Sequence, residues 1–331
     1  MEKNKTEKVK NGKIKKILIA VFVTLLSLCL VVFAFVWNKL DLLQTDEDIQ
    51  KIDASVSESE EPKEDIILSE DDIKDLTMIN TKPVIPDMEI YEDKNVVNIL
   101  LIGTDERVKH FSTNARSDSM IILSINKEKH TVKLVSLERG MGVPILEGQY
   151  KGQYDWLTHV FRYGGADLLM KTVETCFRVK VDRYIRVNFN TFIQIVDSIG
   201  GVDINLTEAE ANYMIGQKYN VVPGPNKLDG KEALSYSRIR KIDSDWSRVV
   251  RQRNVIQSAF IAAKELSLVE LNKMANDILP LIQTNLTKGE IAALILESPN
   301  LVGKELEQMT IPKKGNLWWN ERNGRQKPFC G

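Results

Sequence analysis

Hydrophobic and polar positions divide this chain into unlike zones. Ile17 to Trp37 (ILIAVFVTLLSLCLVVFAFVW) contains no charged residue. With a helical rise of about 1.5 Å per residue, the run spans a hydrocarbon core of roughly 30 Å, which predicts a transmembrane helix. It is too long for the apolar core of a typical signal peptide, and Trp37-Asn38-Lys39 offers no small-residue cleavage site. Asp41 to Asp75 then loses any lasting period, is poor in aromatics and rich in acids, the composition of a solvated stalk. Pro83 and Pro86 close it.

The period returns near Val96. NVVNILLIG predicts a buried strand that runs into a Gly103-Thr104-Asp105 turn. Ser119–Ile125 and Thr131–Leu137 predict two more strands, joined by the polar turn Asn126 to His130. Helical spacing follows over Gly165–Phe177, then a short strand at Arg183–Val187. A helix over Phe189–Ile199 is stopped by Gly200-Gly201, and Val202–Leu206 is again a strand. Helical patterns fill Lys231 to about Glu297, and Glu307–Ile311 supplies a last strand. Strands alternating with helices predict an α/β layered domain. The tail after Lys314 carries no readable period.

Charge adds orientation. The 45 basic and 46 acidic residues leave a net charge of -1, so no global field draws the chain to nucleic acid. Lys3, Lys5, Lys8, Lys10, Lys13, Lys15 and Lys16 precede the apolar run and acids follow it. That asymmetry places the N-terminus in the cytoplasm and the rest outside. Cys29 falls in the apolar run, Cys176 in a helical pattern and Cys330 at the end, so neither a disulfide framework nor a metal-ligand spacing is present. His110, His130 and His159 are scattered, and no Ser-His-Asp spacing, P-loop or zinc motif appears.

The candidate chemistry is concentrated in LDGKEALSYSRIRKIDSDWSRVVRQR, Leu228 to Arg253, with five arginines and Lys231 and Lys241 at its edges. Arg238 and Arg240 are two apart and leave one face of an extended segment. Ser244 or Asp245 caps a helix on which Arg248, Arg251 and Gln252 share one stripe, while Ile256, Ala259, Phe260 and Ala263 dock it on a core. Guanidinium forks suit phosphate oxygens; a solvated basic face is the competing reading. Three further polar stretches lie at strand ends: Gly103 to Arg107, Arg116 to Ser119 and Ser136 to Arg139. Loops at such ends converge on one edge of a sheet. Asp105 and Asp118, among these arginines, suit Mg²⁺ or Mn²⁺; alternatively they are turn residues paired with Arg107 and Arg116.

The segments LLIGTDER, RSDSMIILSI, VSLER, VDSIGGVDI and the arginine-rich stretch, in that order from about Val96 to Ile311, resemble the LytR-CpsA-Psr family of envelope proteins. The resemblance implies a three-layer α-β-α sandwich with a central mixed sheet and a greasy tunnel for a polyprenyl chain, preceded by the N-terminal transmembrane helix. It divides the chain into a basic cytoplasmic tail (1–16), the transmembrane helix (17–37), an acidic extracellular stalk (38–95), a catalytic domain (96–315) and a C-terminal tail (316–331). It implies a single-pass cell-membrane phosphotransferase, dependent on Mg²⁺ or Mn²⁺, with its catalytic domain extracellular. Such an enzyme moves an anionic or capsular glycopolymer, such as wall teichoic acid, from undecaprenyl pyrophosphate onto peptidoglycan as a phosphodiester, with pyrophosphatase side activity. No nucleic acid is an expected partner.

Carried over by position, Asp105 and Asp118 match the metal-site aspartates. Arg116, Arg139, Arg238, Arg240, Arg248 and Gln252 match the pyrophosphate-binding set. Asp118, Arg116, Arg139, Arg238 and Arg240 form the catalytic set. Asp118 is the expected proton acceptor, because an arginine is too basic. Two places depart from the family. Leu137-Glu138-Arg139-Gly140 lacks the aspartate usual after the arginine, and Glu138 points away if the strand continues. Tyr154 to His159 replaces an Asn-Ala-Ala type stretch, for reasons of substrate or of packing. The competing functional readings are a non-catalytic module binding lipid pyrophosphate or glycan, and an envelope regulator of the transcriptional-attenuator type.

Overall fold

The computed structural model describes residues 88–106, 115–301, 306–313, 319–322 and 325–328. The expected transmembrane helix at 17–37, the basic tail before it and most of the stalk lie outside the described residues. No helix among the described residues is long and apolar enough to cross a membrane.

In chain order the strands are β1 Val96–Thr104, β2 Ser117–Asn126, β3 Thr131–Leu137, β4 Gly142–Pro144, β5 Tyr154–Trp156, β6 Arg183–Val187, β7 Val202–Leu206, β8 Gly224–Leu228, β9 Gln283–Thr284 and β10 Glu307–Ile311. A hairpin of β11 Trp319–Arg322 and β12 Arg325–Pro328 ends the described chain. The helices are α1 Leu157–Phe177, α2 Phe189–Ser198, α3 Glu208–Gly216, α4 Gly230–Ser237, α5 Asp245–Lys264, α6 Leu268–Ile278 and α7 Lys288–Leu301.

Six strands form the central sheet in the order β10-β3-β2-β1-β6-β9. It is mixed: β1 pairs antiparallel with β2 and parallel with β6, and β3 pairs antiparallel with β2 and parallel with β10. Alternation along the strands serves both faces. Leu100, Ile102, Met120, Ile122 and Leu137 pack under α1 residues Val160, Phe161, Leu169 and Val173. Ile121, Ile125, Val132 and Leu134 face the other way, against Ile256 and Phe260 of α5 and Leu294 and Leu301 of α7. Helices therefore cover both sides of the sheet.

A second core joins α2 to α5 around the β7–β8 hairpin, with Val202, Leu228, Ala233, Tyr236, Ile239 and Val255 at its centre. Gly230 is required there: a Cβ on it would lie 2.3 Å from the Ile193 carbonyl oxygen, so only glycine lets α4 approach α2 this closely. The sequence expectation differs from the fold at the start of α1 and in elements it did not contain: α3, β8, β9 and the short pairs β4–β5 and β11–β12. Helix α1 begins at Leu157 rather than Gly165, because the chain is already helical before a break at Gly164 and Gly165, where Gly165 has φ +64°. Helix α3 and strand β8 were unpredicted; Glu208–Gly216 opens on acids, and GPNKL has no apolar alternation to read.

Candidate functional site

The site begins with an irregularity in the sheet. Gly103 pairs with Ser119, but Thr104 pairs with Ser117, which leaves Asp118 as the extra residue of a β-bulge. A bulge re-aims the side chain it carries. Asp118 and Ser119 both line the same cavity as a result. Arg139, just beyond the end of β3, forms an ion pair with one Asp118 oxygen, and Arg240 Nη2 stands 3.7 Å from the other.

Helix α1 fixes both partners of that pair. Its Leu157 and Thr158 backbone N–H groups donate to the Met141 and Arg139 carbonyls (2.8 and 3.0 Å), which satisfies first-turn donors that have no partner within the helix. The Thr158 hydroxyl donates to the Ser117 carbonyl (3.0 Å). The open question over Tyr154 to His159 resolves as packing. Fully buried Asp155 accepts from the Trp156 N–H, the His159 ring and the Tyr163 hydroxyl at 2.7, 3.0 and 2.6 Å.

Arg238 and Arg240 flank Ile239, which is completely buried, so the two guanidinium groups emerge together. Arg238 is the C-cap of α4 rather than part of a strand, and it stacks 4.3 Å over the ring of Phe189 at the start of α2. The predicted helix is α5, capped by Ser244, whose side chain accepts from the Ser247 N–H. Its stripe divides. Arg248, only 2% exposed, and Gln252 face the cavity, and the Ser119 hydroxyl donates to Gln252 Oε1 at 3.0 Å.

Arg251 turns the other way, to Glu210 (2.6 Å), Asp243 and the Ile239 carbonyl (3.1 Å). Burial alone would lower its pKa, but hydrogen bonds to Asp243 and Glu210 outweigh it and hold the guanidinium charged. Residues three and four apart on a helix lie on opposite sides of the first, which is why 248 and 252 separate from 251. Arg253 donates to Ser136, Gln308 and Thr310 at 2.7, 3.0 and 2.9 Å, with no carboxylate among these partners, and burial pushes its pKa down. Two of the five arginines are thus structural.

The remaining groups stand where two cavities meet. An apolar one of about 310 Å³ runs between the sheet and α2 and α5, lined by Leu101, Ile121, Ile185, Phe192, Ile195 and Ile256. A polar one of about 510 Å³ opens beside it, toward α3 and α4. Asp118, Leu234, Arg238 and Arg240 line both and form the shared wall.

Asp105 and Arg116 line neither cavity. They bond to each other instead: Asp105 N–H donates to the Arg116 carbonyl (3.3 Å), and Arg116 N–H donates to Asp105 Oδ1 (3.1 Å). Arg107 lies outside the described residues. The condition under which Glu138 would point away is not met. The strand stops at Leu137, the chain turns through Arg139 and Gly140, and a Cβ on Gly140 would lie 3.9 Å from Glu138 Oε1. Sequence reasoning missed Phe189, Tyr213, Gln217 and Tyr219. An aromatic residue opening the predicted helix at Phe189 was the one available signal.

The LytR_cpsA_psr family model matches residues 55–326. The chain belongs to that family. A relative in Oceanobacillus iheyensis, the polyisoprenyl-teichoic acid–peptidoglycan teichoic acid transferase TagU, is 38% identical over 216 residues, or 62% of this chain and 64% of the relative. The Bacillus cereus protein of the same name is 34% identical over 223 residues, 66% of this chain and 70% of the relative. Among solved structures of the LytR_cpsA_psr fold, TagT bound to LIIa-WTA superposes with a TM-score of 0.59 at 27% identity, covering 76% of this chain and 91% of that one. The LytR-CPS2A-psr family protein YwtF (TagT) with bound octaprenyl pyrophosphate lipid superposes with a TM-score of 0.54 at 25% identity, covering 75% and 89%.

Proposed function

We propose that this protein transfers a glycopolymer from a polyprenyl-pyrophosphate carrier to peptidoglycan, as a phosphodiester, from a position anchored in the membrane by residues 17–37. One observation carries the reading. Arg238 and Arg240 stand in the wall between an apolar cavity and a polar one, the arrangement that suits an amphiphile charged at its middle. The prenyl chain enters the apolar side, the pyrophosphate meets the arginines, and the glycan occupies the polar side. The names of the transferase relatives and the prenyl pyrophosphate bound by a structural neighbour support the same assignment.

In the reaction, an acceptor sugar hydroxyl attacks the phosphorus bonded to the glycan. The new P–O bond forms as the bridging P–O bond breaks, and polyprenyl phosphate leaves with the electron pair. Arg238, Arg240 and the deeper Arg248 neutralise the charge that develops on the phosphates. Asp118, the carboxylate that lines both cavities, takes the hydroxyl proton. If water replaces the sugar hydroxyl, the same step is pyrophosphate hydrolysis.

No group of three or more His, Cys, Asp or Glu side chains suited to a metal occurs among the described residues. The fit is instead to a cation that uses one or two carboxylates and completes its shell with phosphate oxygens and water, as Mg²⁺ does. Asp118, which lines both cavities, would hold it together with phosphate oxygens and water, Asp105 standing outside the cavities at the end of β1, and it would add Lewis-acid neutralisation of the phosphates.

The test is transfer of a labelled polyprenyl-pyrophosphate glycan to peptidoglycan oligomers by the full chain in detergent, with and without Mg²⁺. Metal-dependent, peptidoglycan-linked phosphodiester is the expected product. Tight donor binding with no product would replace this reading with that of a carrier-binding module.

A further inference from the structure

The polar cavity, at about 510 Å³, is larger than a pyrophosphate requires, and its lining is one-sided in charge. Lys231, Arg238, Arg240 and Lys241 contribute cations, and Asp118 is the carboxylate present. Arg139 and Arg240 already attend that carboxylate. Neither Lys231 nor Lys241 forms an ion pair among the described residues. Lys231 also stands in the first turn of α4, where the helix dipole disfavours a cation. The local backbone therefore gives no reason for an ammonium group at this position, whereas an anion in the cavity would.

The rest of the lining suits a saccharide. Tyr213 and Tyr219 add aromatic rings on which sugar C–H faces pack. The Ser235 hydroxyl donates to Gln217 Oε1 (3.3 Å), which leaves the Gln217 amide N–H groups to donate to a ligand. The whole set is rich in donors and poor in acceptors. Both lysines are exposed and solvated while the cavity is open; a neutral sugar would use the rings and the amide and displace that water without offering the ammonium groups a charge in return.

We infer that this cavity takes the carrier-proximal sugar of the donor and selects one that is negatively charged, a uronate or a phosphosugar. The inference rests on the donor reading above and adds the charge of the sugar. Lys231 and Lys241 are specificity-determining residues in this assignment; the arginines hold the pyrophosphate whichever sugar follows it.

The experiment uses the full chain in detergent and four synthetic lipids with one prenyl pyrophosphate: sugarless, glucosyl, glucuronosyl and phosphoglucosyl. At low salt the two acidic donors are expected to bind about tenfold tighter than the glucosyl one, the order of one charge-assisted contact in a half-open cavity. The K231Q/K241Q double variant should abolish that preference and leave sugarless and glucosyl binding within about twofold. Comparison of the glucuronosyl and phosphoglucosyl arms identifies which acid is favoured. Binding of all four lipids without preference overturns the inference alone. So does loss of sugarless binding in the double variant while K227Q, a change at an exposed strand position, has none. Failure of all four to bind brings down the donor reading and this inference together.

Discussion

At the scale of residues, the five arginines between Leu228 and Arg253 do different work that composition does not separate. Arg238 is exposed and held over Phe189; Arg251 is almost fully buried between Glu210 and Asp243. Arg238→Ala should cost about 1 kcal/mol or less in stability, the size of a partly exposed cation–π contact. The same change should weaken prenyl-pyrophosphate binding at least about tenfold. Arg251→Met should behave in the opposite sense, losing about 3 kcal/mol because it removes the charge partner of the buried Glu210 carboxylate, the more exposed Asp243 being solvated by water. Denaturant unfolding and calorimetric binding on both variants check this, and equal stability losses would refute the division. The pairing of Arg238 with Arg240 was legible from spacing. The turning away of Arg251 was not, because its buried partner Glu210 comes from α3, an element the sequence did not announce.

Among the secondary-structure elements, the longer strands of the central sheet were the readable part. β3, β6, β7 and β10 fall where their spacing puts them: β3 and β7 bury alternate apolar side chains and β6 buries Tyr184, whereas β10, at the sheet edge, is only partly covered, through Thr310 and Ile311. The bulge that re-aims Asp118 was invisible, because a bulge depends on the register between two strands and each strand alone looks regular. The contact of α4 with α2 is likewise tertiary. Gly230→Ala should force the helices apart and displace the arginines at the end of α4, with a stability loss of about 1–3 kcal/mol typical of overpacking. A melting temperature unchanged from the parent would contradict it. At the start of α7, burial pushes the Glu290 carboxyl up, but hydrogen bonds from Arg183 and Thr287 more than offset this and hold it below the usual range. A carboxyl depressed on folding stabilises above its unfolded pKa, roughly 4.3, and that contribution is lost as the pH falls through the folded value. The amide-exchange protection factors of α7, corrected for the intrinsic rate at each pH, should therefore fall in acid, and Glu290→Gln should flatten that pH dependence.

Over the whole molecule, the sheet and the second core are joined by one helix. Helix α5 lays Ile256 and Phe260 on the sheet, sends Val255 into the second core, and secures its N-terminal half through Arg251 and Arg253. The α/β class followed from alternating strands and helices, and family membership from several ordered motifs. The meeting of two cavities could not be read in the same way, because their shared wall draws Asp118 from β2 and Leu234, Arg238 and Arg240 from more than a hundred positions later. That distance makes the site a property of the folded domain and not of any one segment.

On the proposed reading the shared wall also governs traffic. When the proposed reaction cuts the donor at its pyrophosphate, the two halves are already in different rooms. The spent carrier then has its own way out and need not pass the transferred polymer, so neither fragment waits for the other. Polyprenyl monophosphate added back should then compete with the donor for its room and leave the affinity for the peptidoglycan acceptor unchanged. Product-inhibition kinetics would show the traffic to be single-file if the same lipid also competed with the acceptor.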